Sequence, residues 1–406
     1  MTETMIEANP RGFRAPGTTF MISGGLIGAV GAYLFQVIGA NAIGSEAFAP
    51  ISLLWTAFFI LATIALVPIE QYVTREVASD RKAIPNAVRS SLWFAVAAAV
   101  VAVLFVTVTR ESLFEGSWQY VIQVALLVIG YALLFFGKGV LAGRRRFADV
   151  GWVLVIETAV RLVAGIVAIQ LFATAESLGW AMVLGGFSVL GMRWWRKDQG
   201  DQDSTPAPAT RFLGGYVGGS TSSQLLLGGA PIAAALFGAS PSLVSVIFVT
   251  FTLYRAPLTL IFALQGRVLP YLVGLTGGTD RQRLARIAGL VVAVGIGLAL
   301  LGAVVGWFVG PEVVGLLYNE EFIPARGVAA LAAGGVMAAA AAQIAGQVLV
   351  AEGRTARLAL AWLVGLVVAL VVMTVYRPGP DLRVATGFAS GEAMALFFMW
   401  FLAARK

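Results

Sequence analysis

Twelve apolar segments, each close to the length needed to cross a bilayer, make up nearly the whole chain of 406 residues. A helix of about 20 residues spans the roughly 30 Å thickness of a hydrocarbon core. The segments are 18–40, 47–67, 87–109, 117–137, 150–172, 177–192, 213–237, 241–265, 287–309, 327–350, 355–376 and 384–403. The sixth is the shortest. The sequence therefore predicts an all-α polytopic membrane protein with about 12 transmembrane helices.

The positive charges indicate the orientation of these helices. Cytoplasmic loops of membrane proteins collect Lys and Arg. With the N-terminus placed inside, 22 of the 28 Lys and Arg residues fall in inner loops or termini, and only four fall outside. The other two, Arg161 and Arg255, lie within segments. One missed helix would reverse every later loop, so this bias predicts that both termini are cytoplasmic.

Composition excludes several classes of protein. The chain is 59% hydrophobic and 12% charged, against about 25% charged residues in an ordinary soluble domain. The net charge of +7 is explained by membrane insertion and by contact with anionic membrane lipids, so we expect no nucleic-acid partner. Without Cys or His there is no disulfide, no thiol catalysis and no common metal ligand other than carboxylates. We expect no cofactor, no metal site and no catalytic residue.

One long polar break divides the helices six and six. Residues 196–212 are rich in Asp, Pro, Ser and Gln and are typical of a flexible tether. This predicts an N-terminal six-helix bundle (1–195), a cytoplasmic linker and a C-terminal six-helix bundle (213–406). Because six is even, the bundles share one orientation and would be related by a pseudo-two-fold axis along the membrane normal. Two such bundles with a site between them are typical of alternating-access transporters.

Small residues predict where helices approach closely. Gly24, Gly28 and Gly31 lie along one stretch of the first segment, and Gly289, Ala293 and Gly297 along the ninth. Such spacing lets helix backbones pack against each other in a membrane.

Four stretches carry a family resemblance. They are AIGSEAFA at 42–49, PIEQ at 68–71, LYRAP at 253–257 with VLP at 268–270, and PEVVGLLYNEEF at 311–322. In this order and within twelve helices, the chain resembles the multidrug, oligosaccharidyl-lipid and polysaccharide exporter superfamily, specifically its polysaccharide-transporter branch. Members of that branch flip polyprenyl-diphosphate-linked sugars from the inner to the outer leaflet.

The resemblance implies a cargo, a location and partners. The cargo would be a polyprenyl-diphosphate-linked glycan for cell-surface polysaccharide biosynthesis. The location would be the cytoplasmic membrane of a bacterium, in contact with membrane lipids. The protein would be a monomer, with glycan-polymerising or glycosyltransferase proteins as candidate partners. The drug-exporting branch shares the fold, so fold alone does not choose the cargo.

Ionisable residues within the segments are the leading site candidates, because a charge in the membrane is costly and is usually functional. Arg161 lies near the midplane of the fifth segment, and Arg255 lies at similar depth in the eighth. One Arg per half would suit a shared diphosphate site, since a guanidinium binds phosphate oxygens in a forked geometry. Glu157 and Arg161 are also spaced i, i+4 with the acid first, so they could equally neutralise each other within the bundle.

Glu392 is the acid within the twelfth segment. A membrane carboxylate could bind and release a coupling ion, H⁺ or Na⁺. The rival interpretation is an ionic partner for Arg255. The drug-exporting branch often uses acids in its first helix, whereas this first segment offers Gln36 and Asn41 instead, which puts that coupling mode in doubt here.

Weaker candidates are glutamines and surface arginines. Gln71 follows Glu70 at an expected helix break beside Pro68, and Gln224 and Gln347 lie on the seventh and tenth segments. Each could contact sugar hydroxyls or bond to a neighbouring helix. Arg144, Arg145 and Arg146 could attract an anionic lipid at the inner mouth, although insertion alone also accounts for them.

Three functions compete. A lipid-linked saccharide flippase agrees with the mid-membrane arginines. A multidrug or amphiphile exporter would need a cavity dominated by aromatic residues and a carboxylate, and these arginines would repel cationic drugs. A membrane-embedded glycosyltransferase or polymerase would need acidic catalytic residues on a sizeable loop, whereas the outer loops are short, so we expect a transporter and not an enzyme.

Overall fold

Every regular element in the described part of the chain is helical. The computed structural model describes residues 17–79, 84–191, 221–258, 261, 272 and 281–404. The N-terminal half contains α1 (Thr18–Ala47), α2 (Ala49–Leu61), α3 (Val67–Ser79), α4 (Ile84–Val108), α5 (Gln119–Gly143), α6 (Phe147–Leu171) and α7 (Ala175–Phe187). A short helix, Arg110–Leu113, links α4 to α5, and a 3₁₀ turn, Ser188–Gly191, extends α7.

The C-terminal half repeats this all-helical design. A helical stretch at 221–228 leads into α8 (Ala230–Leu236). It is followed by α9 (Pro241–Tyr254), α10 (Arg281–Tyr318), α11 (Arg326–Ala351), α12 (Thr355–Val375) and α13 (Pro380–Ala404). A 3₁₀ turn, Glu320–Phe322, joins α10 to α11.

The transmembrane prediction is confirmed. Within the described ranges, nine helices are long and apolar enough to cross a membrane. Two shorter apolar helices, Ala175–Gly191 and Pro241–Tyr254, fall on the sixth and eighth predicted segments. The helical stretch at 221–236 falls on the seventh. The division into two bundles stays a prediction, and its linker, 196–212, lies outside the described residues.

The second segment is longer than predicted, and Pro68 does not break it. Helix runs from Ala49 to Ser79, with one π-helical turn at Ala62–Leu66 that ends two residues before Pro68. A proline inside a helix cannot donate to the carbonyl one turn earlier, and a π-turn is one way to absorb the lost bond. The expected break beside Gln71 was therefore wrong: Gln71 is an exposed residue on a continuous helix.

The ninth segment is also longer than its prediction. Helix α10 continues through Pro311 to Tyr318, for 38 residues in all. The prediction had ended the ninth segment at residue 309, and the structure shows helix over the next nine residues as well.

Glycines set the closest helix contacts, but only partly where predicted. A Cβ on Gly24 of α1 would lie 2.6 Å from the carbonyl oxygen of Gly151 on α6, and a Cβ on Gly151 would lie 2.7 Å from the carbonyl oxygen of Phe20. These helices meet backbone to backbone. On α10, a Cβ on Gly306 would lie 2.5 Å from the carbonyl oxygen of Ala329 on α11, whereas Gly297 has open space. The predicted contact at Gly297 was therefore wrong.

We expect Gly151→Leu to lower the thermal unfolding midpoint of the detergent-solubilised protein, because a side chain there overlaps backbone atoms of α1. Overpacking of this kind costs about 1–3 kcal/mol. Gly297→Leu is the control, since an added Cβ meets nothing within 4 Å there. Equal midpoints for the two variants, measured by tryptophan fluorescence, would contradict this description of the α1–α6 contact.

Candidate functional site

A cavity of about 240 Å³ lies between the two halves of the chain. Four of its lining residues come from α1 and α2 in the N-terminal half, and six come from 221–258 in the C-terminal half. They are Tyr33, Trp55, Thr56 and Phe59, and Leu227, Gly228, Phe248, Thr252, Arg255 and Leu258. Aromatic rings dominate the wall, and Arg255 is its only charged residue among those described. A larger groove, of about 360 Å³ between α9, α10 and α11, has no charged lining residue in the described part of the chain.

Arg255 follows the last turn of α9, where the chain leaves the helix two residues before Pro257. Its guanidinium carbon lies 5.7 Å from the centre of the Phe251 ring. Its Nε and Nη2 atoms are buried and donate to no acceptor among the residues that the structure describes. Buried polar groups are normally hydrogen-bonded. Arg255 therefore lines the cavity and also has two buried donors that the described fold does not use.

Tyr33 ties the two halves together at the cavity. Its hydroxyl donates a 3.0 Å hydrogen bond to the carbonyl oxygen of Thr252, and both residues line the cavity. The cavity wall is thus a contact between α1 and α9.

Glu157 and Arg161 form a closed group inside the N-terminal half. Their exposed fractions are only 6% and 5%. Arg161 donates a hydrogen bond to the Glu157 carboxylate, as the i, i+4 spacing predicted. The Tyr131 hydroxyl donates to the same carboxylate at 2.6 Å and accepts from Arg161 at 3.1 Å. The pair is neutralised within the bundle, as its i, i+4 spacing allows, while the buried Arg161 Nε has no hydrogen-bond partner among the described residues. A role of the pair in cargo binding stays a prediction.

Trp55 connects this group to the cavity. The Arg161 guanidinium carbon lies 5.2 Å from the centre of the Trp55 ring, and Trp55 itself lines the cavity. Gly185 of α7 packs against the group, since a Cβ there would lie 3.2 Å from the Tyr131 hydroxyl and 3.3 Å from Glu157. Arg161 is therefore held behind the aromatic wall and is absent from the described cavity lining.

Glu392 is completely buried on α13. Neither of its carboxylate oxygens accepts a hydrogen bond from any residue in the described ranges. Phe388, one turn earlier, packs edge-on against Phe251 with ring centres 5.0 Å apart. Phe251 in turn lies against Arg255. Glu392 and Arg255 thus lie near one aromatic pair in the C-terminal half, without a hydrogen bond between them.

The glutamine candidates are scattered. Gln224 is buried on the helical stretch whose Leu227 and Gly228 line the cavity. Gln347 donates a weak 3.5 Å bond to the carbonyl oxygen of Gln343 within α11, and it does not line the described cavity. Gln71 is exposed on α3, and the adjacent Glu70 forms a 2.8 Å ion pair with Lys138 of α5.

The three inner-mouth arginines form the turn between α5 and α6. Arg145 is exposed and has a left-handed backbone, with φ of 60°. Arg146 is paired with Asp149 at 2.6 Å, and Arg144 is partly buried. Of the three, Arg145 is the most exposed.

Comparison with solved structures identifies the fold. No protein-family model and no curated protein sequence matches the chain. A structure described as the inward-facing conformation of a multidrug resistance MATE family transporter of the MOP superfamily gives a TM-score of 0.69 at 14% identity, covering 94% of this chain and 97% of that one. The chain has the fold of the MATE transporters.

Two further structures support this. A mutant of the Vibrio cholerae MATE transporter VcmN gives a TM-score of 0.59 at 15% identity, covering 96% of each chain. A MOP superfamily transporter from Pyrococcus furiosus gives 0.61 at 14% identity, covering 95% of this chain and 93% of that one. Its description states that the reverse polarity of its binding pocket suggests a different function. At these identities the likeness establishes the fold, and the polysaccharide-transporter branch is not singled out.

Sequence reasoning missed most of the cavity wall. Tyr33, Trp55, Phe59 and Phe248 are aromatic residues on apolar helices, and their sequence context does not separate a cavity wall from a helix contact. Arg255 was found because a charge in a membrane segment stands out. The aromatic lining residues can be recognised only when the packing of α1, α2 and α9 is known.

We expect Glu157→Gln to destabilise the protein, because it leaves the buried Arg161 charge without its carboxylate. Breaking a buried pair in this way costs about 3–5 kcal/mol, whereas replacing both partners costs far less. Thermal unfolding in detergent should show most of the loss recovered in Glu157→Gln/Arg161→Met. The control is Glu312→Gln, which breaks an exposed 3.5 Å pair with Arg326 and should change stability by less than about 1 kcal/mol. A double variant no more stable than the single one would contradict the closed-group description.

Proposed function

We propose that the chain is an alternating-access transporter that flips a polyprenyl-diphosphate-linked saccharide from the inner to the outer leaflet of a bacterial cytoplasmic membrane. The observation that carries the proposal is the position of Arg255. It lines a cavity between the two halves, and two of its buried donor atoms bind nothing in the described fold.

The chemistry of the cavity favours an anionic head group. An arginine stays charged in a membrane and can hold phosphate oxygens through two parallel hydrogen bonds. A diphosphate at Arg255 would use the donors that the fold leaves unpaired. A cationic drug in the same cavity would meet a charge of its own sign, with no acid in the described lining to offset it.

The aromatic wall suits the sugar. Tyr33, Trp55, Phe59 and Phe248 line the cavity beside Thr56 and Thr252. Apolar rings with a few polar groups are the usual lining of a small-molecule site, and they can bind a sugar ring above the diphosphate. The lipid tail would remain in the bilayer. We propose a monomer as the transporting unit, with glycan-polymerising or glycosyltransferase proteins as partners.

The second candidate is a multidrug or amphiphile exporter. It is favoured by the fold itself, since one structure of similar fold is described as a multidrug resistance transporter. The aromatic wall would suit such cargo too. Pocket polarity differs among transporters of this fold, as the description of the Pyrococcus furiosus structure states, so the charge of the cavity is the better guide to cargo.

Arg255→Ala should lower protein-dependent transfer of a radiolabelled polyprenyl-diphosphate saccharide between leaflets of proteoliposomes at least about tenfold. A hydrogen bond to a charged group is worth about 1.5–3 kcal/mol, and about 1.4 kcal/mol corresponds to a factor of ten. Arg255→Lys should recover part of the rate, because it keeps the charge and loses the forked geometry.

The matched control is Arg326→Ala, which removes the same charge from an exposed site on the outer side. An equal loss of saccharide transfer in Arg326→Ala and Arg255→Ala would contradict a role of Arg255 in binding the cargo. No transfer of lipid-linked saccharide by the native protein, together with efflux of cationic dyes, would overturn the flippase proposal in favour of an exporter.

Glu392 is our proposed coupling residue, taking up H⁺ or Na⁺. It is a buried carboxylate whose oxygens have no described hydrogen-bond partner, which leaves both free to bind an ion. Its place near Phe388 and Phe251, which contacts Arg255, would couple ion binding to the cavity.

We expect Glu392→Gln to make transfer insensitive to an imposed H⁺ or Na⁺ gradient while leaving downhill exchange of the lipid measurable. The control is Glu111→Gln, which changes an exposed acid and should keep the native response. A gradient response that survives Glu392→Gln would exclude this residue as the coupling site.

A further inference from the structure

Polar contacts join the two halves at their outer ends. With cytoplasmic termini, the end of α1 and the connection from α10 to α11 both lie at the outer face. The Asn41 side chain donates to the carbonyl oxygen of Leu317 at 2.9 Å and accepts from the Asn319 side chain at 2.9 Å. One side chain of the N-terminal half therefore bonds twice to the C-terminal half.

A second contact lies one turn further along α1. The Ser45 backbone N–H donates to the Glu321 carboxylate at 2.9 Å. Gly44, directly before it, has a φ of 81°, and a Cβ there would lie 3.1 Å from the same carboxylate. The left-handed glycine thus opens the end of α1 so that a backbone donor meets an acid from the other half.

The connection from α10 to α11 is shaped to reach these partners. Asn319 has a φ of 73° and a ψ of 177°, a backbone conformation that a residue with a side chain adopts only at a cost. Its side-chain oxygen accepts from the backbone N–H of Glu321 at 2.9 Å. Asn319 thus fixes Glu321 and contacts Asn41 at the same time.

Aromatic rings pack beside these polar contacts. Phe48 of the N-terminal half lies 6.2 Å from Phe248 and 6.3 Å from Phe322, measured between ring centres. Tyr318 packs on Phe322 at 5.9 Å. Phe48, Phe322 and Tyr318 are fully buried. Phe248 also lines the cavity, so this cluster connects the cavity wall to the polar contacts of the outer ends.

We propose that Asn41, Ser45, Asn319 and Glu321 form an outer latch that holds the two halves together at the outer face and must open before cargo leaves at the outer leaflet. The latch rests on the alternating access proposed above, but not on the identity of the cargo. Net hydrogen-bond strengths of this kind are small, because water replaces the lost partners. The latch is therefore strong enough to bias the resting state and weak enough to release.

The test measures the distance between the outer ends of the halves. The native chain has no Cys, so spin labels on Gln119→Cys and Tyr376→Cys, both exposed positions at the outer ends of α5 and α12, report without background. Pulsed electron resonance on the full-length protein in lipid nanodiscs gives the populations of short and long distances. No cargo is needed.

Two variants open the latch and two act as controls. Asn319→Gly removes the side chain while keeping the positive φ unstrained, and Glu321→Ala removes the acceptor. Glu321→Gln keeps an acceptor oxygen for the Ser45 N–H. Glu320→Ala removes the same charge one residue away, where no described hydrogen bond of its side chain crosses to the other half.

Asn319→Gly and Glu321→Ala should raise the long-distance population about tenfold, the factor expected for losing one or two ordinary hydrogen bonds. The long-distance population of Glu321→Gln should lie close to the native value, and that of Glu320→Ala should equal the native value. An unchanged distribution in both opening variants overturns the latch, and so does an equal shift in Glu320→Ala. If lipid transfer fails for every saccharide while these distances still shift, the flippase proposal falls and the latch stands.

Discussion

The bilayer core offers no water to a buried polar group, so each charge within it must find a partner in the protein or carry a function. The described helices meet this constraint in two different ways. In the N-terminal half, Arg161 and Glu157 are paired with each other and with Tyr131 behind Trp55, and only the Arg161 Nε in this group lacks a described partner. In the C-terminal half, Arg255 and Glu392 keep buried atoms without hydrogen bonds to the described residues. The two halves are thus alike in being helical and differ in electrostatics.

This asymmetry organises the cavity. The N-terminal half contributes three aromatic rings and two hydroxyls, and the C-terminal half contributes the cation, one ring and one hydroxyl. In the proposed function, a neutral wall facing a charged one would orient the cargo with its diphosphate toward α9 and its sugar toward α2. Because the Tyr33 hydroxyl bonds to the Thr252 carbonyl across the cavity, a movement of one half against the other changes the wall as well as the outer latch.

The sequence was a good guide to helices and a poor guide to contacts. Hydropathy is a property of single segments, so it predicted the helical spans and singled out Arg161 and Arg255 as charges within apolar segments. The i, i+4 pair of Glu157 and Arg161 was also accessible, because one helix contains it. The role of Trp55 could not be predicted from the sequence, since it depends on which helices pack against each other. Asn41 and Asn319 are 278 residues apart in the sequence, and their hydrogen bond could not be predicted from either segment alone.

Two local features misled the sequence interpretation for a physical reason. A break was expected at Pro68, because a proline removes a backbone donor, and the ninth segment was predicted to end two residues before Pro311. The structure keeps both helices, using a π-turn before Pro68 and continuing α10 through Pro311.

The unbroken α10 has a mechanical consequence. A helix of 38 residues is about 57 Å long. It begins at Arg281, on the side where basic residues face the cytoplasm, and ends at Tyr318, directly before Asn319. If this helix tilts as a rigid body by about 10° around its inner end, its outer end moves by about 10 Å, given the rise per residue of an α-helix. A small rearrangement at the inner face is therefore geometrically sufficient to separate the contacts at the outer one.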